Sequence, residues 1–241
     1  MKIATAIVAL LAATPAAAQE WTFRGTVYGW LPALDTSVDT ARGTVSGELS
    51  MSDVLDALDM AFMGVLEARY GRWGVIGDLT YANLSSSASI NPASGFEGAD
   101  IGTRLTIFSG YGVYRVAETP QISLDLGAGF RAFSMALDVD LDSGARGQDL
   151  DLGIDGQWTV PILAARIVAP FSERWFGTAV VDAGAWLDDS TWQALATLGY
   201  NFNARWSMQA GYRYMNIETQ VSGRDVSLDM SGPIIGVSAR F

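Results

Sequence analysis

Residues Trp73–Leu84, "WGVIGDLTYANL", decide the fold. Trp73, Val75, Leu79 and Tyr81 alternate with Asp78 and Thr80, a period of two that belongs to a β-strand with one oily face and one polar face. The same alternation runs through Gln121–Phe133, "QISLDLGAGFRAF", where Ile122, Leu124, Leu126, Ala128 and Phe130 interleave with Ser123, Asp125 and Arg131. Similar runs at 21–34, 60–70, 100–115, 157–169, 174–187, 191–203, 205–218 and 228–241 predict ten strands, with eight as the alternative if 174–203 divides differently. Such strands exceed the about five or six residues usual in globular sheets and approach the about 9–11 that cross a bilayer at a tilt.

The connections alternate as well. "YGRW", "AETPQ", "SERW" and "NARW" are tight turns, whereas the intervening links at 35–59, 85–99, 138–156 and 219–227 are long or acidic, "DDS" at 188–190 being short. That asymmetry predicts an all-β chain, a transmembrane antiparallel up-and-down β-barrel with short periplasmic turns and longer extracellular loops. Tyr70, Trp73, Trp175, Phe202 and Trp206 flank the tight turns, and Phe23 and Phe241 lie at the two ends. Aromatic rings favour the membrane interface, where one edge is apolar and the other wet. A belt of this kind accounts for a chain that closes on Phe241 after Pro233, Ile235, Val237 and Ala239 at every second position.

Composition agrees. Lys2, the apolar run "IATAIVALLAA" and "TPAAAQ" have the layout of a secretory signal peptide cut near Ala18, so residues 1–18 are expected to be leader and 19–241 the barrel domain. The apolar run is shorter than the about 20 residues of a spanning helix. Mean hydropathy is positive, +0.21, although no later stretch reaches helix-spanning length without a charge. Cysteine and histidine are absent and Lys2 is the only lysine, which removes thiolate chemistry, the usual general base and the commonest transition-metal ligand.

The cleavable leader, the antiparallel strands of about ten residues and the terminal Phe241 resemble the small outer-membrane β-barrel proteins of Gram-negative bacteria. "DVLDALDMAFMGVLEARYGRWGVIGDLTYANLS" is similar to uncharacterised proteobacterial barrels of this kind. The resemblance implies residence in the outer membrane among lipid and lipopolysaccharide. It also implies a last-strand signal read by the barrel-assembly machinery, carried by Gly236 and Phe241.

Parity assigns the interior. With the apolar sets facing lipid, the lumen is expected to collect Arg24, Glu67, Arg69, Asp78, Arg104, Asp125, Arg131, Arg166, Asp182, Arg213 and Arg240, beside the bulky Tyr28, Trp30, Met63, Phe108, Phe133, Trp158, Val180 and Trp186. A barrel of about eight strands is just wide enough to be filled by side chains, and ten widen it modestly. Interlocked salt bridges and aromatics are therefore expected to outweigh a narrow, mildly anion-favouring passage. Glu67 and Asp78, on adjacent strands and facing the same side, form the one carboxylate pair placed for acid–base chemistry, and structural ion pairing is the weightier reading.

The whole chain carries a net charge of −11, and the lumen assignment leaves most of the negative charge on the outer loops. Nucleic acid is excluded as a partner by that sign. The acidic stretch "DVDLDSGARGQDLDLGID" reads as a hairpin beyond the membrane, and Asp138, Asp140, Asp142 and Asp149 match a calcium-loop spacing without its glycine or its bidentate glutamate. A divalent cation at this loop is the sole cofactor to weigh; otherwise none is expected. "SMSDVLDALDM" predicts a short amphipathic helix capped by Ser50 or Ser52, with Met51, Val54, Leu55 and Leu58 on one face. It is expected to plug the mouth, lie on lipid or pack over strand ends. The functional expectation is a non-enzymatic barrel, structural or a restricted passage for small solutes or apolar ligands. The alternative is a surface adhesin or ligand-binding module acting through the acidic loops, with a histidine-free enzyme behind both.

Overall fold

The computed structural model describes residues 20–40, 43–89, 98–142, 150–221 and 224–241; the expected leader lies outside them. The elements are β1 (Trp21–Trp30), β2 (Ala33–Thr40), β3 (Gly43–Leu49), α1 (Met51–Ala57), β4 (Leu58–Tyr70), β5 (Trp73–Ser89), β6 (Gly98–Glu118), β7 (Ser123–Asp142), β8 (Leu150–Pro170), β9 (Trp175–Trp186), β10 (Asp189–Asn201), β11 (Trp206–Val221) and β12 (Arg224–Arg240). All strands join one antiparallel sheet in the order β1-β4-β5-β6-β7-β8-β9-β10-β11-β12-β2-β3, and β1 pairs with β12. That last pairing, from Arg24↔Arg240 to Trp30↔Ile234, closes a barrel of ten staves. Closure leaves the staves without a free edge, the condition for a sheet to sit in lipid.

The expected strand at 21–34 is broken. Pro32 has no N–H to give to a ladder. Opposite it, Gly232 approaches so closely that a Cβ there would lie 2.0 Å from the Leu31 carbonyl oxygen. The chain bends at this point, and β2 continues beside residues 226–231 of β12 while β3 folds back on β2. Residues 35–59, expected as a loop, therefore hold a hairpin and α1.

Other links are shorter than expected because their alternation keeps them paired. The β6–β7 ladder continues to Gly98↔Asp142 and the β7–β8 ladder to Leu141↔Leu150. The described flanks of the acidic stretch, 138–142 and 150–155, thus stand up as a ribbon beyond the staves. At the opposite end the turns are tight. Gly71 opens the β4–β5 turn at φ 57, in the left-handed region that a glycine enters without steric cost. Phe171–Trp175 and Phe202–Trp206 form two copies of one turn. In each, Phe171 or Phe202 donates its N–H to the tryptophan carbonyl, and the Ser172 or Asn203 side chain accepts from the N–H groups two and three residues on.

The outward face is oily. Leu66 and Leu163 are 72% and 71% exposed, a state that water would penalise by about 25 cal/mol per Å². Rings gather at the tight-turn end, with centroids 5.4 Å apart for Trp21–Tyr70, 4.8 Å for Trp73–Tyr114 and 5.0 Å for Trp175–Tyr200. Phe241 joins them. Its backbone exchanges hydrogen bonds of 2.9 and 3.2 Å with Phe23, and the Arg205 guanidinium lies 5.8 Å from its ring centroid. The apolar terminus is held as the last residue of a closed ladder.

Candidate functional site: the barrel lumen

Inward positions alternate with the oily ones, and they stack in three layers. Nearest the tight turns is a cluster of charges. Arg166 forks onto Glu67 with contacts of 2.7 and 3.0 Å and reaches Asp125 at 2.8 Å. Arg69 bridges the same two acids at 3.1 and 2.8 Å, and Arg115 Nε donates to Asp125 at 2.9 Å. Forked guanidinium–carboxylate contacts of this kind fix orientation as well as charge.

The middle layer crosses the lumen as one network. Arg131 is 0% exposed and lies 2.9 Å from Asp182 Oδ1, while donating to Asp182 Oδ2 at 3.0 Å, Ser109 at 2.9 Å, Thr191 at 3.2 Å and the Tyr111 hydroxyl at 3.1 Å. Tyr111 and the Gln193 amide also donate to Asp182. Gln193 in turn accepts from Arg213 at 3.0 Å. Arg213 then donates to Tyr28 at 3.1 Å, and Tyr28 donates to Asp78 at 2.6 Å. Arg213 also stacks over the Trp30 ring at 4.6 Å. Two arginines thus meet two aspartates in a balanced, hydrogen-bonded diaphragm. A buried charge pair tolerates desolvation only when its remaining lone pairs and protons are satisfied; the hydroxyls of Tyr28, Tyr111, Ser109 and Thr191 meet most of that need, while Asp182 Oδ1 has the Arg131 ion contact without a hydrogen bond.

The outer layer is apolar. Trp30, Met63, Ile107, Phe133, Met215 and Met230 are buried against one another, and Phe133 stacks on Trp158 at 5.0 Å.

No known protein family matches the sequence, and no curated protein is similar to it. Solved structures are similar in shape. The outer membrane protease OmpT from Escherichia coli aligns with TM-score 0.56 at 10% identity, covering 92% of this chain and 97% of that one. The translocator domain of autotransporter NalP from Neisseria meningitidis gives 0.46 at 12% identity, covering 92% and 88%. The fold is that of a Gram-negative outer-membrane β-barrel.

In the outer-membrane barrel the tight turns are the periplasmic ones. The structure brings Arg24, Glu67, Arg69, Asp125 and Arg166 into the periplasmic layer, with Arg240 exposed at its rim. Asp78, Arg131, Asp182 and Arg213 form the diaphragm. Glu67 and Asp78 fall in different layers, each paired with arginine. Arg104 is a correction. It is exposed and pairs with Asn83 and Ala136 on the outward face. Phe108, on the same face, is 40% exposed, and Trp186 at the outer end of β9 is 59% exposed.

The parity error in β6 has a physical cause. Its inward residues Leu105 and Ile107 enter the apolar outer layer, so Arg104 and Thr106, which alternate with them, point outward. Arg115, at the end of the 100–115 run and outside the expected lumen set, joins the charged layer, and Tyr28, expected as bulk, is a hydrogen-bonding member of the diaphragm. The signal for Gln193 and Thr191 was present, since both alternate with Trp192 and Ala194. Of the calcium candidates, Asp149 and the Asp142 side chain lie outside what is described, and Asp138 and Asp140 are exposed. Among the described residues no group of three or more His, Cys, Asp or Glu is placed to hold a metal. The helix α1 is capped by Ser50, whose hydroxyl accepts from the Asp53 N–H while Asp53 accepts from the Ser50 N–H. It buries only Val54, and Met51 and Leu55 remain exposed. It packs over strand ends.

Proposed function

We propose that this chain is a non-enzymatic structural barrel of the outer membrane whose lumen is sealed against solute flow. The diaphragm carries this reading: Arg131, Asp182, Gln193, Arg213, Tyr28 and Asp78 join side chain to side chain across the lumen, beneath a buried apolar layer. An ion crossing it would have to part pairs that cost several kcal/mol to leave uncompensated. The commitment of the inner carboxylates to arginine, in a chain without histidine or cysteine, favours a non-enzymatic role. Boundary lipid and lipopolysaccharide are the partners that the oily belt and outer loops would meet. The assembly machinery would read Gly236 and Phe241 after leader cleavage near Ala18.

Planar-bilayer recording tests the reading. The purified barrel is expected to give no ohmic steps, and Arg131→Ala with Arg213→Ala to give them. Stable conductance from the unaltered chain would overturn the proposal.

A second reading rests on the ribbon of β6, β7 and β8, which carries the exposed Asp138 and Asp140 beyond the staves. A surface-binding module acting through it would lose attachment to cells or matrix when residues 138–155 are deleted and the barrel is intact.

A further inference from the structure

Between the charged layer and the diaphragm the lumen is not filled. A cavity of about 160 Å³ remains, reaching down to Phe176 and Ser207, each the second residue of its strand at the periplasmic end. A cavity of this size in an apolar wall accommodates a benzene-sized body. Val65 and Ile76 line one side, Val180 and Leu195 another. At the periplasmic end the lining on β10–β12 is the uncharged Thr197, Ser207, Gln209 and Ser238, whereas the charged cluster comes from β1, β4, β6, β7 and β8.

Arg24 also lines this cavity. Among the described residues no hydrogen bond or ion pair satisfies its guanidinium. Glu67 faces it across the β1–β4 ladder, but both Glu67 oxygens are taken by Arg166 and one is shared with Arg69. Arg24 is thus a fourth cation beside Arg69, Arg115 and Arg166, against Glu67, Asp125 and the exposed Glu118. Arg240 on the paired strand adds to the excess. A half-buried cation among like charges gains from an anion that brings its own desolvated contacts.

We propose that this cavity binds a small organic carboxylate entering from the periplasm, its carboxylate on Arg24 and its apolar body between Val65 and Ile76 and Val180 and Leu195. The site ends at the diaphragm, so it is a place of binding and does not require passage.

Calorimetric titration of the refolded barrel in detergent micelles with benzoate tests the assignment. One-to-one binding is expected, with at least a tenfold loss in Arg24→Gln, partial retention in Arg24→Lys and loss in Leu195→Trp, which fills the cavity. Far-UV circular dichroism and tryptophan emission should show each variant folded. Benzoate heats no larger than dilution would overturn the proposal. So would benzyl alcohol binding as tightly as benzoate, which marks a merely apolar void, or acetate and phosphate matching benzoate, which marks a plain anion site. Conductance does not enter these outcomes, so a leaky barrel that binds benzoate would sink the sealed-lumen reading and leave this one standing.

Discussion

Leu187 occupies the first position of the two-residue turn between β9 and β10 with φ 57. It is 88% exposed and has no packing to compensate a left-handed conformation that costs a non-glycine residue about 1–2 kcal/mol. Leu187→Gly is expected to stabilise the barrel by about 1 kcal/mol, measured by urea unfolding from lipid vesicles. The diaphragm behaves in the opposite way. Arg131→Met alone leaves Asp182 charged and buried and should cost about 3–5 kcal/mol, whereas Arg131→Met with Asp182→Leu should recover most of it. A double variant as unstable as the single one would show that the hydroxyl partners, not the ion pair, hold the layer. At this scale the sequence was readable wherever the lumen is polar. Arg131 and Asp182 announced themselves between apolar neighbours, as did Arg213. It misled where the lumen is itself apolar, because Arg104 beside Leu105 and Ile107 then carries the outward sign on a polar residue. Arg24 illustrates another limit: alternation placed it inside, but only the register that gives Glu67 to Arg166 shows it to be the cation left over.

Elements follow from their residues with the same mixture. The long strands and tight turns were legible because alternation and Gly71, Ser172 and Asn203 are local signals. The break at Pro32 was not, since it depends on Gly232, two hundred residues away along the chain. Helix α1 was foreseen from its capping pattern, and its chemistry yields a pH prediction. The Ser50 hydroxyl donates to the Asp53 carboxylate at 2.6 Å and the Ser50 N–H donates at 2.9 Å, which together hold Asp53 below the usual carboxylate range. A depressed folded value means that the cap contributes fully above the ordinary carboxylate pKa of about 4 and is lost as pH falls through the lower folded value. Because the chain has no cysteine, a spin label on Asp56→Cys reports on the helix alone. Its mobility should stay constant from neutral pH down to the ordinary carboxylate range and rise only below it, and Ser50→Ala should raise it at neutral pH. Leu55→Asp should leave conductance silent, since Leu55 is exposed and no plug.

At the scale of the whole molecule, one arrangement explains both the oily surface and the polar interior: a cylinder with lipid outside and a packed charge network inside. A water-soluble sandwich would place these residues the other way round, and the two alternatives respond oppositely to one substitution. Leu163 pairs with Ala128, midway along the portion of β7 that spans 123–133, and is 71% exposed. Leu163→Arg sets a guanidinium at the bilayer midplane and should weaken folding into vesicles by about 2–4 kcal/mol. Arg104 lies on the same outward face but further toward the long loops, opposite Ala136, where the cost of a charge falls to about 0–1 kcal/mol. Arg104→Leu should therefore change vesicle stability little. The pair of variants measures depth: a large loss in the first with none in the second fixes the oily belt around Leu163. If Leu163→Arg instead kept the chain monodisperse in detergent-free buffer with its fold intact, the outward leucines would not face lipid.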